Sequence, residues 1–217
     1  KRKVGTVKAI DGISFDIREG ECLAIVGESG CGKTTTMKML TGLLTADSGS
    51  AVLLGQPVEK TNDATKMKIG YMSQLFSLYE ELTIKENLQL HAKLYRLPAS
   101  KQADMIQEAL TRFDLLHVAD IKPSDVSLGI QQRLQLAAAC LHQPEVLILD
   151  EPTSGVDPVA RDMFWQYLMN LSRQDRITIF VSTHFMNEAQ RCDRISFMDE
   201  GKVLAMGSAD ELKEKAG

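Results

Sequence analysis

The stretch GESGCGKT at residues 27–34 fits G-x-x-x-x-G-K-[ST], with the apolar run CLAIV directly before it and a helical pattern directly after. Gly27, Gly30 and Gly32 let the backbone curl until its N–H groups point inward, at phosphate oxygens. The start of the following helix adds its positive end. The loop residues Gly27, Glu28, Ser29, Gly30, Cys31 and Gly32, with Lys33, Thr34 and Thr35 at the helix start, therefore form a cradle for the phosphates of a nucleotide. Lys33 should reach the β- and γ-phosphates, and the Thr34 hydroxyl should bind Mg²⁺.

A second acidic element, VLILDEPTSGVD (146–157), delivers Asp150 and Glu151 at the end of a buried strand. Downstream of a phosphate loop, Asp150 is placed to hold Mg²⁺ through water. Glu151 is then free to act as the general base on an attacking water. His184, in IFVSTHF, ends another buried strand and projects to the same edge, where it can meet the γ-phosphate or the water. Gln74 ends the strand KIGYMS and either ligates Mg²⁺ or orients water. Residues 126–133, VSLGIQQR, open an amphipathic helix with a serine and a glycine, a second helix start suited to an anion. In LFSLYEEL (75–82), the apolar Leu75, Phe76, Leu78 and Tyr79 stand where a loop is expected. They either pack onto the neighbouring helices or meet a partner's surface.

The elements that must position these residues follow from periodicity. GISFDI, with Ile13, Phe15 and Ile17 on one face, and SAVLLG read as strands near the N-terminus. CLAIVG, KIGYM, EVLILD, ITIFVS, RISFM and KVLAMG read as further strands, alternating with helices into a largely parallel sheet that binds ligands at its carboxyl edge. The helix after the phosphate loop should carry Met37, Leu40 and Leu44 on one side. From about Thr83 the pattern is helical. Ile84, Leu88, Ala92 and Tyr95 form one stripe beside Leu90, Leu94 and Leu97, and Pro98 should end that helix. Met105, Ile106, Ala109, Leu110 and Phe113 define the next helix, and the helix opened by VSLG completes the insert. Asp157-Pro158 reads as an N-cap followed by proline at the first helical position.

The chain has 217 residues, 44% of them apolar and 25% charged, with a net charge of −4. A basic face for nucleic acid, DNA above all, is not indicated, since no Lys/Arg block follows the opening KRK. No apolar run is long enough to span a bilayer. Cys22, Cys31, Cys140 and Cys192 are scattered without metal-ligand spacing, as reduced thiols of a cytosolic protein would be. The opening Lys1, in place of Met, is what a domain cut from a longer chain would show.

In this order, the phosphate loop, Gln74, the helical insert opened by VSLGI, DEPTSGVD and STH resemble the nucleotide-binding domain of ABC ATPases over essentially the whole chain. The resemblance implies an α/β P-loop NTPase fold: a RecA-like, mostly parallel sheet with N-terminal antiparallel β elements and an inserted α-helical subdomain. Residues 1–217 would form one domain, with the core at 1–82 and 144–217 and the helical subdomain at about 83–143. It further implies a head-to-tail dimer with two ATPs, each with Mg²⁺, between the subunits, the partner being an identical or a different ATPase domain. VSLGI then matches the signature that contacts the partner's ATP, through Ser127 and Gly129, and Ser154 to Asp157 runs across the interface, with Asp157 at the nucleotide. The family's usual signature is LSGGQ; Leu128 and Ile130 depart from it, implying a weakened or specialised half-site. Val4 stands where an adenine-stacking aromatic is usual, unless that aromatic lies upstream.

Within the family the chain looks closest to ATPases of type-2 exporters and to a ribosome-associated ATPase with a fused permease. Hydrolysis would then power an exporter from the cytoplasmic face of the membrane, with Leu75–Leu82 as the surface for a transmembrane permease. The alternatives are a ribosome-associated ATPase without transport, for which the charge offers no support, and a weakly hydrolysing regulatory module.

Overall fold

Cys22, Ala24 and Val26 face one apolar cluster and Leu23 and Ile25 face another, so the run CLAIV is buried on both sides. That is the signature of a central strand in a sheet covered on both faces. The computed structural model describes residues 9–60, 62–75 and 77–216; Val4 and Phe76 lie outside the described residues. The strands are β1 (Cys22–Val26), β2 (Val52–Leu53), β3 (Gln56–Pro57), β4 (Ile69–Met72), β5 (Val146–Asp150), β6 (Thr178–Thr183), β7 (Arg194–Asp199) and β8 (Lys202–Gly207). Six of them form one sheet in the order β4-β5-β6-β1-β7-β8. All neighbours are parallel except β7 and β8.

The helices are α1 (Lys33–Leu40), α2 (Asp63–Lys66), α3 (Ile84–Leu94), α4 (Ala99–Arg112), α5 (Leu128–Cys140), α6 (Pro158–Arg173), α7 (Met186–Ala189) and α8 (Ala209–Ala216). The insert α3–α5 has no core of its own. Ile84, Leu88, Ile106, Leu110, Leu134 and Ala137 belong to the same buried cluster as Leu147 and Leu149 of β5 and Trp165 of α6. The helices are thus fixed to one face of the sheet by shared burial, the largest favourable term available to them. Thr83 and Glu86 close a reciprocal capping box at the start of α3.

Four expectations need correction. Ile13, Phe15 and Ile17 do alternate as half-buried residues and pack on the second cluster, Phe15 against the ring of Phe180 at 5.3 Å. Their segment nevertheless enters neither sheet. SAVLLG contributes only Val52–Leu53, paired antiparallel with β3 across a tight turn at Leu54 and Gly55, both at positive φ. Leu44 lies beyond α1 and is exposed, leaving Met37 as that helix's buried anchor. Pro98 does not stop a helix: α3 has already ended at Leu94, Arg96 turns the chain at φ 53°, and Pro98 is the N-cap residue of α4.

Candidate active site

The phosphate loop leaves the carboxyl end of β1 and is packed against the turn between β7 and β8. A Cβ at Gly27 would lie 2.2 Å from the Met198 carbonyl oxygen, so no other residue fits there. Gly32, at φ 109°, has the Ala9 carbonyl 2.6 Å from its Cβ position. The Gly201 N–H donates to the Cys31 carbonyl at 2.9 Å, fixing the loop's far side. Glu28, Ser29 and Gly30 form its exposed lip, while Thr34 and Thr35 are half-buried. α1 has glycine at its N-cap and no side-chain cap. Its first-turn donors therefore remain available to an anion.

Lys33 is 3% exposed. Its Nζ donates to the Gly27 carbonyl at 2.7 Å and the Glu28 carbonyl at 2.9 Å, and lies 3.3 Å from Glu151 Oε1. The other carboxylate oxygen of Glu151 accepts from Gln74 Nε2 at 3.1 Å and lies 3.5 Å from His184 Nδ1. Residues from three other stretches, Lys33, Gln74 and His184, thus converge on the Glu151 carboxylate. Gln74, expected to ligate Mg²⁺ or orient water, here bonds the Glu151 carboxylate.

Asp150, 1% exposed, ends β5, and the backbone then turns left-handed at Glu151, φ 45°. Ser182 of β6, in register with Asp150, holds this corner. Its Oγ donates to Asp150 Oδ1 at 2.6 Å and accepts from the Glu151 N–H at 2.9 Å. Burial first, and then the negative charge of Asp150, push the Tyr71 hydroxyl pKa above its ordinary value. Among the described residues no group of three or more His, Cys, Asp or Glu side chains is arranged to hold a metal. The donors at hand are the Thr34 hydroxyl and the Asp150 carboxylate. That set fits Mg²⁺, which keeps waters and shares the oxygens of a bound phosphate.

Ser127, Gly129 and Asp157 form a second group, and among the described residues no hydrogen bond joins them to the phosphate loop. Ser127 is the exposed N-cap of α5 yet makes no side-chain cap bond. Gly129 faces inward: a Cβ there would sit 2.6 Å from the Ala160 Cβ, so this glycine seats α5 against α6. Leu128 points outward, 38% exposed, beside Gly155. The Asp157 carboxylate caps α6, accepting from the N–H groups of Val159 and Ala160 at 3.1 and 3.0 Å.

Three positioning groups were not singled out from the sequence. Ser182 is one. Glu188 is another: 2% exposed, it accepts from Thr153 at 2.7 Å and from Thr183, with Arg161 at 3.5 Å. It thereby joins the turn before Ser154–Asp157 to the strand end before His184. The third, the fully buried Asn87, donates to the carbonyls of Tyr79, Leu82 and Thr83 and accepts from the Tyr79 N–H. It shapes the loop after Gln74. In that loop Leu78 is buried, whereas Leu75 and Tyr79 are 79% and 58% exposed.

Comparison with known proteins follows the same lines. Residues 10–154 match the family model for the ABC transporter. The chain is 39% identical over 215 residues to the probable multidrug ABC transporter ATP-binding protein YbhF of Escherichia coli, covering 99% of this chain and 37% of that protein. It is 37% identical over 215 residues to the Nod factor export ATP-binding protein I of Burkholderia orbicola, covering 70% of that relative. It therefore spans little more than a third of the first and about two-thirds of the second. Among solved structures it superposes on the dimeric, post-hydrolysis ATP-binding cassette MJ0796 bound to ADP and Pi, with a TM-score of 0.85 and 28% identity over 96% of this chain and 94% of that one. With the phosphate loop, the Asp150–Glu151 corner and His184 assembled on this sheet, the chain belongs to the ABC transporter family, as an ATP-binding cassette.

Proposed function

We propose that this cassette hydrolyses ATP at an interface with a second cassette and thereby drives an exporter from the cytoplasmic side of a membrane. The observation that carries the reading is the Glu151 carboxylate, held between Lys33 on one oxygen and Gln74 and His184 on the other. A carboxylate so held is oriented before its substrate arrives, and orientation is a large part of what a general base needs. Glu151 takes the proton of the attacking water as the water oxygen bonds to the γ-phosphorus and the bond from that phosphorus to the β–γ bridging oxygen breaks, with ADP as the leaving group. The Lys33 ammonium exchanges its loop carbonyls for phosphate oxygens and stabilises the charge that develops there. His184 and Gln74 keep the carboxylate and water aligned. Thr34 and Asp150 are the residues that would hold Mg²⁺, which when bound would supply positive charge to the phosphate oxygens.

The α5 N-terminus, with the Ser127 hydroxyl uncommitted to capping, is read as the surface offered to the partner cassette's nucleotide. Residues 83–143 act as the helical subdomain that carries this surface, on a core of 1–82 and 144–217. The exposed Leu75 and Tyr79, within Leu75–Leu82, are read as the contact with a membrane-spanning permease. Among the described residues no helix is long and apolar enough to cross a membrane. The export role draws support from the names of YbhF and the Nod factor export protein.

Turnover tests the catalytic part. Glu151→Gln should bind MgATP as the wild type does while kcat falls about 10²–10⁴-fold. Brisk hydrolysis by that variant would remove Glu151 from the role of base.

A further inference from the structure

The geometry assigns Ser182 as the residue that positions the two acidic groups of the site through one hydroxyl. This rests on the reading of Asp150 and Glu151 given above and adds a role for the serine of the STH stretch, to which the sequence assigns none. Ser182 is fully buried on β6 and stands opposite Asp150 in the ladder. A hydroxyl offers one donor and two acceptor positions. Here the donor goes to Asp150 Oδ1 at 2.6 Å and an acceptor position takes the Glu151 N–H at 2.9 Å.

Both bonds restrict a degree of freedom that matters. Asp150 is 1% exposed, and its Oδ1 has a defined donor, so the orientation of its other oxygen is fixed by default. Glu151 adopts φ 45°, a conformation unfavourable for a residue with a side chain. The bond to its N–H stabilises this turn, and from this turn its carboxylate reaches Lys33, Gln74 and His184. Removing the hydroxyl frees Asp150 to rotate and leaves a backbone N–H without its acceptor. The predicted lesion is therefore in metal placement and in kcat, with little effect on nucleotide held by the phosphate loop.

The test compares wild type, Ser182→Ala and Ser182→Thr, the last retaining a hydroxyl on a β-branched side chain suited to a strand. Affinity for a fluorescent ATP analogue in EDTA should be unchanged in Ser182→Ala. Mn²⁺ affinity in the presence of ATP, read from the free-Mn²⁺ EPR signal in a Glu151→Gln background, should weaken about 10–100-fold, the usual effect of losing a partner that orients a metal's ligand. In the Glu151-intact protein kcat should fall by a similar factor, and Ser182→Thr should recover most of both losses. Unchanged Mn²⁺ affinity in Ser182→Ala would overturn the assignment. So would a loss of nucleotide affinity in EDTA matching the loss of activity, which is the mark of general destabilisation. Wild-type protein that binds ATP and never turns it over would instead bring down the parent reading, and the Ser182 assignment with it.

Discussion

Besides a 3.9 Å contact with Cys31 Sγ, three contacts of the Lys33 ammonium tell something about what the site does. Two are to loop carbonyls and one is to the carboxylate read as the base. Lys33→Ala should cost at least about 3 kcal/mol of nucleotide binding, roughly 100-fold in Kd, if two charged hydrogen bonds to phosphate are lost. Titration of the variant with MgATP checks this, and retained affinity would refute the phosphate-loop assignment. Gly129 makes a different demand. Read by resemblance as a phosphate contact, it has a steric duty as well, since Ala160 stands 2.6 Å from where a Cβ would be. Gly129→Ala should force α5 off α6 and lower stability by about 1–3 kcal/mol in urea unfolding, with no new charge or lost donor to blame. A variant as stable as wild type would mean that the two helices have slack between them. At this scale the sequence was informative where chemistry is local. GESGCGKT and ILDE declare themselves by residue type, and the structure brings Lys33, Gln74 and His184 to the carboxylate of Glu151. Ser182, Glu188 and Asn87 were illegible because their partners lie 31, 35 and 8 residues away and are set by strand register or by a loop's path.

Secondary-structure elements show the same division. Helical stripes such as Ile84, Leu88 and Ala92 were readable because a helix satisfies its own backbone. Ile13, Phe15 and Ile17 have a strand's alternation and no strand, because a ladder needs a neighbour and the alternation reports only which side is buried. One junction between elements makes a pH prediction. His142 follows α5; its Nε2 bonds the Ile69 carbonyl at the start of β4, and its ring stacks on Tyr95 at the end of α3, 3.8 Å between centroids. Burial lowers the pKa of His142, partly countered by the Ile69 bond and reinforced by His91, and burial alone lowers that of His91. A histidine whose folded pKa lies below its unfolded value binds protons more readily when unfolded. Its contribution to stability is therefore complete above the unfolded pKa of about 6.5 and is lost as pH falls through the lowered folded value. Urea midpoints should accordingly drop on acidification below that point, and the drop should be shallower in a His91→Gln/His142→Gln variant. An identical slope in the two proteins would contradict the linkage.

The whole molecule joins these parts through one apolar cluster that runs from the helical insert, through β5, to α6. The insert thus shares its core with the sheet whose carboxyl edge carries Asp150 and Glu151. Asn87 and Glu188 mark two of the connections: one holds the loop after Gln74 to α3, the other holds the segment before Ser154–Asp157 to the strand before His184. The phosphate loop and the α5 N-terminus share no hydrogen bond among the described residues, so a single chain presents two halves of a site rather than one closed site. A second cassette, identical or different, is read as completing the site, and with an identical one Leu128 would have to be accommodated at the contact. The measurement that tests this most directly is the solution mass of the Glu151→Gln variant by light scattering, with and without MgATP. The mass of one chain without nucleotide and of two chains with it is the predicted result. A variant that binds MgATP and keeps the mass of a single chain would contradict pairing of identical cassettes and make a different partner cassette the leading arrangement.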